Sequence, residues 1–227
     1  METIRKLVQT LCIFLANGYW EFPWSKNIYQ GPLKIICSPG LNCYSCPAAT
    51  TYCPIGALQQ LFLGIRFSLE TGSYFIGTFV VGTMGIIGAA VGRFICGWVC
   101  PFGLFQEMLH KIPSPKYRIP KLLNWFKYGF LALFVVILPL FALDEFGLGA
   151  PWFCKYVCPA GTLEAGIPMV ILQPELKSTL GWLYWNKIGI LVMFVMWSVF
   201  SSRPFCRTTC PLGAFYGLFN RHRLVKL

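Results

Sequence analysis

The sequence predicts an all-α, polytopic membrane protein with about four transmembrane helices, short interfacial helices and cysteine-bearing loops. The first observation is composition, because 56% of the 227 residues are hydrophobic and only 12% are charged, about half the charged fraction of a soluble domain. The second is a set of long apolar runs, since a helix needs about 20 apolar residues to span a bilayer. The third is the distribution of basic residues along the chain.

Three apolar runs are long enough to span a bilayer, namely Ser73–Ile95, Leu122–Leu143 and Leu180–Phe200. A fourth run, Leu7–Trp20, is shorter and contains polar residues, so it is either a short crossing or an interfacial helix. No small-residue cleavage site follows this run, which is therefore not expected to be a signal peptide.

The basic residues support four crossings. If the N-terminus is inside, the inner segments hold 13 of the 19 Lys and Arg residues and the outer segments hold five. This asymmetry follows the positive-inside rule. It predicts a protein of the cytoplasmic (inner) membrane with both termini in the cytoplasm, and it explains the net charge of +11 without a nucleic-acid partner.

One short motif, Cys-Pro-x-Gly, recurs along the chain. It begins at Cys53 (CPIG), Cys100 (CPFG), Cys158 (CPAG) and Cys210 (CPLG). The last three copies have a further cysteine four residues earlier, at Cys96, Cys154 and Cys206. A repeat of this length indicates a repeated supersecondary unit. We therefore predict a single membrane-embedded domain, 1–227, with pseudo-repeats near 37–60, 96–112, 154–170 and 206–222.

Each Cys-Pro predicts a helix start. Proline is favoured at the first position of a helix, which makes the cysteine the N-cap, and the glycine that follows lets backbone approach the sulfur closely. The free N–H groups and the positive end of the helix would then stabilise an anionic thiolate. Two of the following helices, Leu58–Leu69 and Leu104–Ile112, are amphipathic and are predicted to lie along the membrane surface.

Eleven cysteines allow disulfides, zinc sites or iron–sulfur clusters. The C-x-x-x-C spacing alone does not exclude zinc, and disulfides on the inner side would be reduced in the cytosol. The proline after the last cysteine decides in favour of clusters, because bacterial ferredoxin motifs end in C-x-x-x-C-P.

The predicted topology divides the cysteines between two 4Fe–4S clusters, one near each membrane face. The inner cluster would be held by Cys96, Cys100, Cys206 and Cys210. The outer cluster would be held by Cys154 and Cys158 with Cys53 and either Cys43 or Cys46, while Cys37 stays undecided. The alternative is that each pair splits between two clusters, as in two-cluster ferredoxins. Cys12, alone in an apolar run, is interpreted as a buried hydrophobic residue.

Several other residues have two interpretations. Arg93, Lys155, Arg203 and Arg207 lie next to cluster cysteines in sequence and could raise the cluster potential, whereas the three arginines would also serve as topogenic charges. Glu107 and His110 could carry protons for a quinol, or they could form a solvated helix face. Gly88 and Gly92 form a G-x-x-x-G pair, which favours close helix packing. No catalytic residues are predicted.

The stretches CGWVCPFG and CRTTCPLGAFYG resemble the polytopic 4Fe–4S membrane proteins of the NapH and NosR types, linked to periplasmic nitrate reduction and to nitrous oxide respiration. GPLKIICSPGLNCYSCPAATTYCPIGALQ and PWFCKYVCPAGTLEAGIP look like a subgroup common in anaerobic bacteria. The resemblance implies an electron carrier of the cytoplasmic membrane. Many such proteins continue into a C-terminal ferredoxin module, which is absent before Leu227, so a partner subunit is expected to supply any soluble relay.

The function predicted from these features is electron relay across the cytoplasmic membrane, as the electron-transfer subunit of an oxidoreductase complex. The donor would be a quinol or a cytosolic ferredoxin or reductase, and the acceptor an outer flavin- or haem-protein. The alternative is an assembly or redox-sensing regulatory membrane protein that carries clusters, and a third possibility is a zinc-bound membrane anchor.

Overall fold

The computed structural model describes residues 2–71, 75–142 and 149–220, and this part of the chain is helical without any strand. The all-α prediction is therefore confirmed for the described residues. The longer helices are Glu2–Ala16, Pro54–Thr71, Phe75–Val91, Pro101–His110, Lys121–Phe141, Pro159–Leu172, Trp182–Phe200 and Pro211–Phe219. Short helices cover Phe22–Ser25, Pro32–Ile35, Phe94–Trp98, Phe153–Val157, Pro174–Thr179 and Pro204–Thr208.

Two of the described helices are long and apolar enough to cross a membrane. They are Lys121–Phe141, with 21 residues and a mean hydropathy of 1.7, and Trp182–Phe200, with 19 residues and a mean hydropathy of 1.5. They match the predicted spans Leu122–Leu143 and Leu180–Phe200, although Leu143 lies outside the described residues. These two helices qualify as candidate membrane spans by their length and composition.

The predicted span Ser73–Ile95 is broken in the structure. Its helix, Phe75–Val91, ends because Gly92 adopts a positive φ of 58°, and the chain then restarts as the short helix Phe94–Trp98. The sequence shows only an uninterrupted apolar run here, so the glycine turn was not predicted. Ser73 lies outside the described residues.

The N-terminal run also differs from its prediction. The helix is Glu2–Ala16, which begins earlier and ends earlier than Leu7–Trp20. It exposes Leu7 and Leu15, buries Gln9, and packs against Phe94–Trp98 and Pro101–His110. Its apolar exposed face suits lipid, and the count of four crossings stays a prediction.

The two helices predicted to lie on the membrane surface pack against other helices of the protein, and their position relative to the membrane stays a prediction. Pro54–Thr71 packs against Phe75–Val91 and against the helical segment 131–141. Pro101–His110 packs between Glu2–Ala16 and Trp182–Phe200. The polar residues of these helices predict a solvent-facing side. Two of them, Gln59 and Gln106, are buried and form hydrogen bonds inside the protein, as described below.

Gly88 and Gly92 have different roles. A Cβ on Gly88 would lie 2.9 Å from a ring carbon of Phe219, so Gly88 makes room for an aromatic side chain from the helix Pro211–Phe219. Gly92 is required for the left-handed turn that ends its helix. Gly82 and Gly85 face open space.

Candidate metal centre

The four Cys-Pro-x-Gly motifs build the same local structure. Cys100, Cys158 and Cys210 are N-caps in an extended conformation with proline at the first helical positions, and the helix Pro54–Thr71 likewise starts directly after Cys53. The predicted helix starts are thus confirmed. In the third copy the Gly161 N–H donates to the Cys158 sulfur at 3.4 Å. In the other copies the backbone of the glycine three residues after the cysteine lowers the pKa of the thiol, against the larger opposing effect of burial; these pairs are Gly56–Cys53, Gly103–Cys100 and Gly213–Cys210.

Two of these glycines, Gly103 and Gly213, lie where the backbone leaves little room for a side chain. A Cβ on Gly103 would lie 3.1 Å from the carbonyl oxygen of Cys96, and a Cβ on Gly213 would lie 3.1 Å from the carbonyl oxygen of Cys206. Each glycine thus lets one helix start pack directly on the cysteine turn that precedes it.

The structure brings Cys96, Cys100, Cys206 and Cys210 together, and we name these four the 96/206 group. They are near enough that charge on Cys206 raises the pKa of Cys100, and charge on Cys96 raises the pKa of Cys206. The two segments meet through an edge-to-face contact between Phe102 and Phe205, with ring centroids 5.2 Å apart. The arrangement corresponds to the predicted inner set.

A second set consists of Cys43, Cys53, Cys154 and Cys158, which we name the 53/154 group. Charge on Cys154 raises the pKa of both Cys53 and Cys158, and charge on Cys43 acts on both as well. The Cys43 sulfur lies 3.6 Å from the place a Cβ on Gly161 would occupy. A cavity of about 1530 Å³ is lined by all four cysteines.

Two cysteines of the same loop lie apart from this group. The Cys46 sulfur is 3.9 Å from the side-chain oxygen of Asn17, and it does not line the cavity that the 53/154 group shares. Cys37 forms an isolated bridge with Tyr52. Of the two candidates that the sequence left open, Cys43 is therefore the one placed beside Cys158.

The loop 37–46 contacts both groups. A Cβ on Gly40 would lie 2.9 Å from the Cα of Cys100, and the Leu41 backbone is near enough to lower the pKa of the Cys100 thiol, against the larger opposing effect of burial. Cys43 lies three residues after Gly40 and belongs to the 53/154 group, and three residues span at most about 11 Å. The two groups are therefore neighbours within one helical body, and the prediction of one group near each membrane face stays a prediction.

Sequence reasoning missed two buried glutamines that contact cysteine sulfur. The amide nitrogen of Gln59 lies 3.1 Å from the Cys154 sulfur, and that of Gln106 lies 3.2 Å from the Cys206 sulfur. Both glutamines stand six residues after the cysteine of their own Cys-Pro. When the four repeats are aligned, this position holds Glu164 and Tyr216 in the other two copies. A polar residue recurring at one position of the repeat is the sequence feature that could have identified the glutamines.

Glu164 and Tyr216 form hydrogen bonds with the backbone of the loop 37–46, whereas the two glutamines contact a cysteine sulfur. A carboxylate oxygen of Glu164 accepts from the Cys43 N–H at 2.8 Å, and the Tyr216 hydroxyl donates to the Pro39 carbonyl at 3.1 Å. Burial raises the pKa of Glu164 to about 7, against the opposing effect of the Cys43 N–H. These two residues keep the loop seated between the groups.

The charged residues near the 96/206 group form a network. Arg203 donates to the carbonyl of Cys96 at 2.7 Å and pairs with Glu107 at 2.9 Å, and Glu107 also pairs with Arg5 at 2.9 Å. Glu107 is therefore neither a solvated residue nor a free proton carrier here. The Nδ1 atom of His110 is buried without a partner in the described residues.

The other predicted charges lie as follows. Arg93, Arg203 and Arg207 line a cavity of about 370 Å³ together with Cys96 and Cys206. Lys155 lies over the ring of Tyr156, 5.4 Å from its centroid. Lys187 donates to the Cys154 carbonyl at 3.2 Å.

The residues fit an iron–sulfur cluster. Burial raises the pKa of the Cys43, Cys96 and Cys100 thiols to about 12 and that of Cys206 to about 11, so these thiols need a bound cation to ionise. Among the described residues, no three Cys, His, Asp or Glu side chains converge closely enough to hold a single metal ion. Four buried thiols with N–H donors around them suit a larger cluster.

Comparison with known proteins agrees with this chemistry. A family model described as a 4Fe-4S binding domain matches residues 73–120, 128–167 and 185–227, which is more than half of the chain. The loop with Cys43 and Cys53 lies outside those matches. No solved structure matches the chain significantly.

Three relatives illustrate the similarity. The uncharacterized protein MJ0750 of Methanocaldococcus jannaschii is 30% identical over 60% of this chain and 51% of its own length. The regulatory protein NosR of Pseudomonas aeruginosa is 26% identical over 74% of this chain and 22% of its own length. The methylamine utilization ferredoxin-type protein MauN of Paracoccus denitrificans is 28% identical over 77% of this chain and 53% of its own length.

The chain thus spans between about a fifth and about half of the length of these relatives. Its repeated Cys-Pro helix starts, its buried thiols and the matched regions all indicate the same cofactor, an iron–sulfur cluster. The chain belongs to the 4Fe–4S binding domain family, as a protein of the NosR and NapH type.

Proposed function

We propose that this chain is a membrane electron-transfer protein that holds two 4Fe–4S clusters, one in the 96/206 group and one in the 53/154 group. The observation that carries the proposal is the pairing of the repeats. The first repeat meets the third and the second meets the fourth. Each pairing assembles four cysteines, of which two are buried at helix starts and two are half-buried.

The residues of the chain would bind, neutralise and shield the clusters. When bound, a 4Fe–4S cluster accepts and donates one electron at a time. The cysteine thiolates would hold the iron, and the glycine N–H groups would stabilise the charge on sulfur. Burial of Cys53, Cys100, Cys158 and Cys210 would exclude water, which lowers the reorganisation that accompanies a change in charge.

The membrane location rests on the apolar surface. The helices Lys121–Phe141 and Trp182–Phe200 bury only 17% of their most apolar windows inside the protein, so most of their side chains need an apolar environment outside it. Together with the charge asymmetry, this supports a multi-pass protein of the cytoplasmic membrane with cytoplasmic termini. The basic residues Arg221, Arg223 and Lys226, which contribute to that asymmetry, lie outside the described residues.

The electron partners would meet the two groups separately. The cavity lined by Arg93, Arg203 and Arg207 suits an acidic cytosolic partner, such as a ferredoxin or reductase, because its positive charge lies beside Cys96 and Cys206. The 53/154 group would exchange electrons with an outer flavin- or haem-protein or with a quinone. Since the groups are neighbours, a partner would complete the path across the bilayer.

A second candidate function is redox-sensing regulation. It is favoured by the match to proteins named regulatory protein NosR in two bacteria. The chemistry of both functions begins with the same clusters, and they differ in whether electrons pass through the protein to an acceptor.

The first experiment measures iron, sulfide and spin after anaerobic purification. We expect about eight iron and eight sulfide per chain, four of each per cluster, with visible absorbance that dithionite bleaches. Cys100→Ser and Cys53→Ser should each remove one cluster and leave about four iron atoms. A folded, colourless and iron-free protein would overturn the proposal.

A second experiment separates electron transfer from sensing. The protein is reconstituted in liposomes that enclose an electron acceptor, and a reductant that cannot cross the membrane is added outside. Reduction of the enclosed acceptor that is lost with Cys100→Ser supports the relay. Fully loaded protein that reduces no acceptor in liposomes of either orientation favours sensing.

A further inference from the structure

We propose that Gln59 and Gln106 set the reduction potentials of the two clusters. Each glutamine would donate a hydrogen bond to the sulfur of an iron-ligating cysteine in another repeat, and each would act on one cluster. The inference rests on the proposed function, and it concerns the chain's own residues toward that cofactor.

The two glutamines have the same contacts. Gln59 Nε2 donates to the Cys154 sulfur at 3.1 Å, and Gln59 Oε1 accepts from the Phe153 N–H at 3.0 Å. In the second and fourth repeats, Gln106 Nε2 donates to the Cys206 sulfur at 3.2 Å and its Oε1 accepts from the Phe205 N–H at 3.2 Å. At both sites the glutamine therefore donates to a cysteine sulfur and accepts from the N–H of the preceding residue.

The orientation of each amide is determined by its neighbours. A backbone N–H can only donate, so the oxygen of the glutamine must face Phe153 or Phe205. The NH₂ group must then face the sulfur. The side chains of Gln59 and Gln106 are 0% and 1% exposed, so water does not compete for the donor, and a hydrogen bond in such surroundings is electrostatically strong.

The position within the repeat argues for a specific role. Glu164 and Tyr216 occupy the equivalent positions in the third and fourth repeats, where they face the loop 37–46 instead of a sulfur. Only the first and second repeats carry an amide at this position, and in both of them the amide contacts the first cysteine of another repeat's C-x-x-x-C. A residue needed merely to fill the helix interface would not require a donor at those two places alone.

The direction of the effect follows from charge. An added electron increases the negative charge on the cluster and its cysteine sulfurs, and an N–H donor stabilises that charge. Loss of the donor should therefore lower the reduction potential, making the cluster harder to reduce.

The test is a redox titration of the full-length protein, monitored by electron paramagnetic resonance. Gln59→Leu should move one of the two midpoint potentials to a more negative value, and Gln106→Leu should move the other. The double variant should move both. The matched control is Gln30→Leu, because Gln30 is an exposed glutamine that lines neither cavity beside the cysteines, and it should leave both potentials at their wild-type values.

Spectroscopy on the unaltered protein makes the test independent of folding. With glutamine labelled by ¹⁵N in its side chain, the reduced protein should show nitrogen coupling to both clusters in pulsed electron paramagnetic resonance. Absence of that coupling overturns the inference, as do loaded Leu variants with wild-type potentials. If the unaltered protein shows no nitrogen coupling, and each Leu variant loses iron while the potential of its remaining cluster is unchanged, the glutamines have a structural role.

The failure of this inference is distinguishable from failure of the proposed function. If the wild-type protein contains no clusters, the proposed function fails first. If it contains two clusters whose midpoint potentials do not change when Gln59 and Gln106 are replaced by leucine, only the inference is wrong.

Discussion

At the scale of single residues, the chemistry of the site depends on which cysteine completes the 53/154 group. Cys43 and Cys46 belong to one loop and are equally plausible ligands by spacing. The contact of the Cys43 sulfur with the Gly161 position, and the anchoring of its N–H by Glu164, favour Cys43. Cys46 instead lies beside Asn17 at the end of the N-terminal helix.

This difference predicts opposite results for two matched substitutions. Cys43→Ser should remove one cluster and about four iron atoms, because a serine hydroxyl is a poor replacement for a thiolate ligand. Cys46→Ser should keep both clusters. Iron and sulfide analysis with spin quantification of the anaerobically purified variants gives the measurement.

The reversed outcome, with iron lost from Cys46→Ser and retained in Cys43→Ser, would assign the fourth ligand to Cys46. Loss of iron from both variants would mean that both thiols serve the site. Either result would require a different conformation of the loop.

At the scale of structural elements, the loop 37–46 is the part that joins the two groups. Gly40 packs against the Cys100 backbone, the Leu41 backbone lies near the Cys100 thiol, and the Tyr216 hydroxyl donates to the Pro39 carbonyl. The loop therefore acts as a bridge between helix starts from different repeats. Its position requires a residue without a side chain at Gly40.

Gly40→Ala should therefore destabilise the protein. The new Cβ would lie 2.9 Å from the Cα of Cys100 and 3.3 Å from Cδ of Pro101, and because the first of these is backbone, the loop must shift. Overpacking of this kind costs about 1–3 kcal/mol. We expect a lower thermal midpoint and faster loss of iron from the 96/206 group.

The control for this prediction is Gly85→Ala in the helix Phe75–Val91. A Cβ there meets nothing within 4 Å, and alanine favours a helix over glycine by about 1 kcal/mol. Its thermal midpoint should be equal to or above that of the wild type. Equal midpoints for the Gly40 variant and the wild type would show that the loop does not pack against Cys100.

At the scale of the whole molecule, four similar repeats interlock in pairs to bury the cysteines. One end of the bundle carries the ion-pair network of Arg5, Glu107 and Arg203, and next to it lie Cys96 and Cys206 in an arginine-lined cavity. With the proposed cluster in the 96/206 group, this end would combine a redox centre with a positive surface, which is what an acidic electron partner requires.

Charge reversal in this region should slow electron transfer from an acidic partner. Arg207→Glu replaces an exposed arginine of the cavity, so the second-order rate with a soluble acidic ferredoxin should fall several-fold at low salt. Since salt screens exposed charges, the difference from the wild type should shrink as ionic strength rises. Stopped-flow absorbance gives the rates.

Arg118→Glu is the comparison variant, because Arg118 is also exposed but does not line the cavity. It should change the rate less than Arg207→Glu does. Equal effects of the two variants would mean that only net charge matters, and the proposed docking region would then be wrong.

The sequence by itself determined the local features of this protein. The helical class, the four helix starts at Cys-Pro and the glycine N–H groups facing sulfur all depend on residues within a few positions of each other. Proline at the first turn and glycine after it act through short-range sterics and hydrogen bonding, which is why their pattern could be interpreted without coordinates.

Tertiary structure alone decided the long-range features. The neighbouring position of the two cysteine groups, the place of Cys43, and the contacts of Gln59 and Gln106 with sulfur all join segments that are distant in the chain. These depend on how helices from different repeats pack, and that packing is set by the shapes of many side chains together. A hydrophobic run or a charge count cannot specify it, which is why the sequence did not show that the two groups lie side by side.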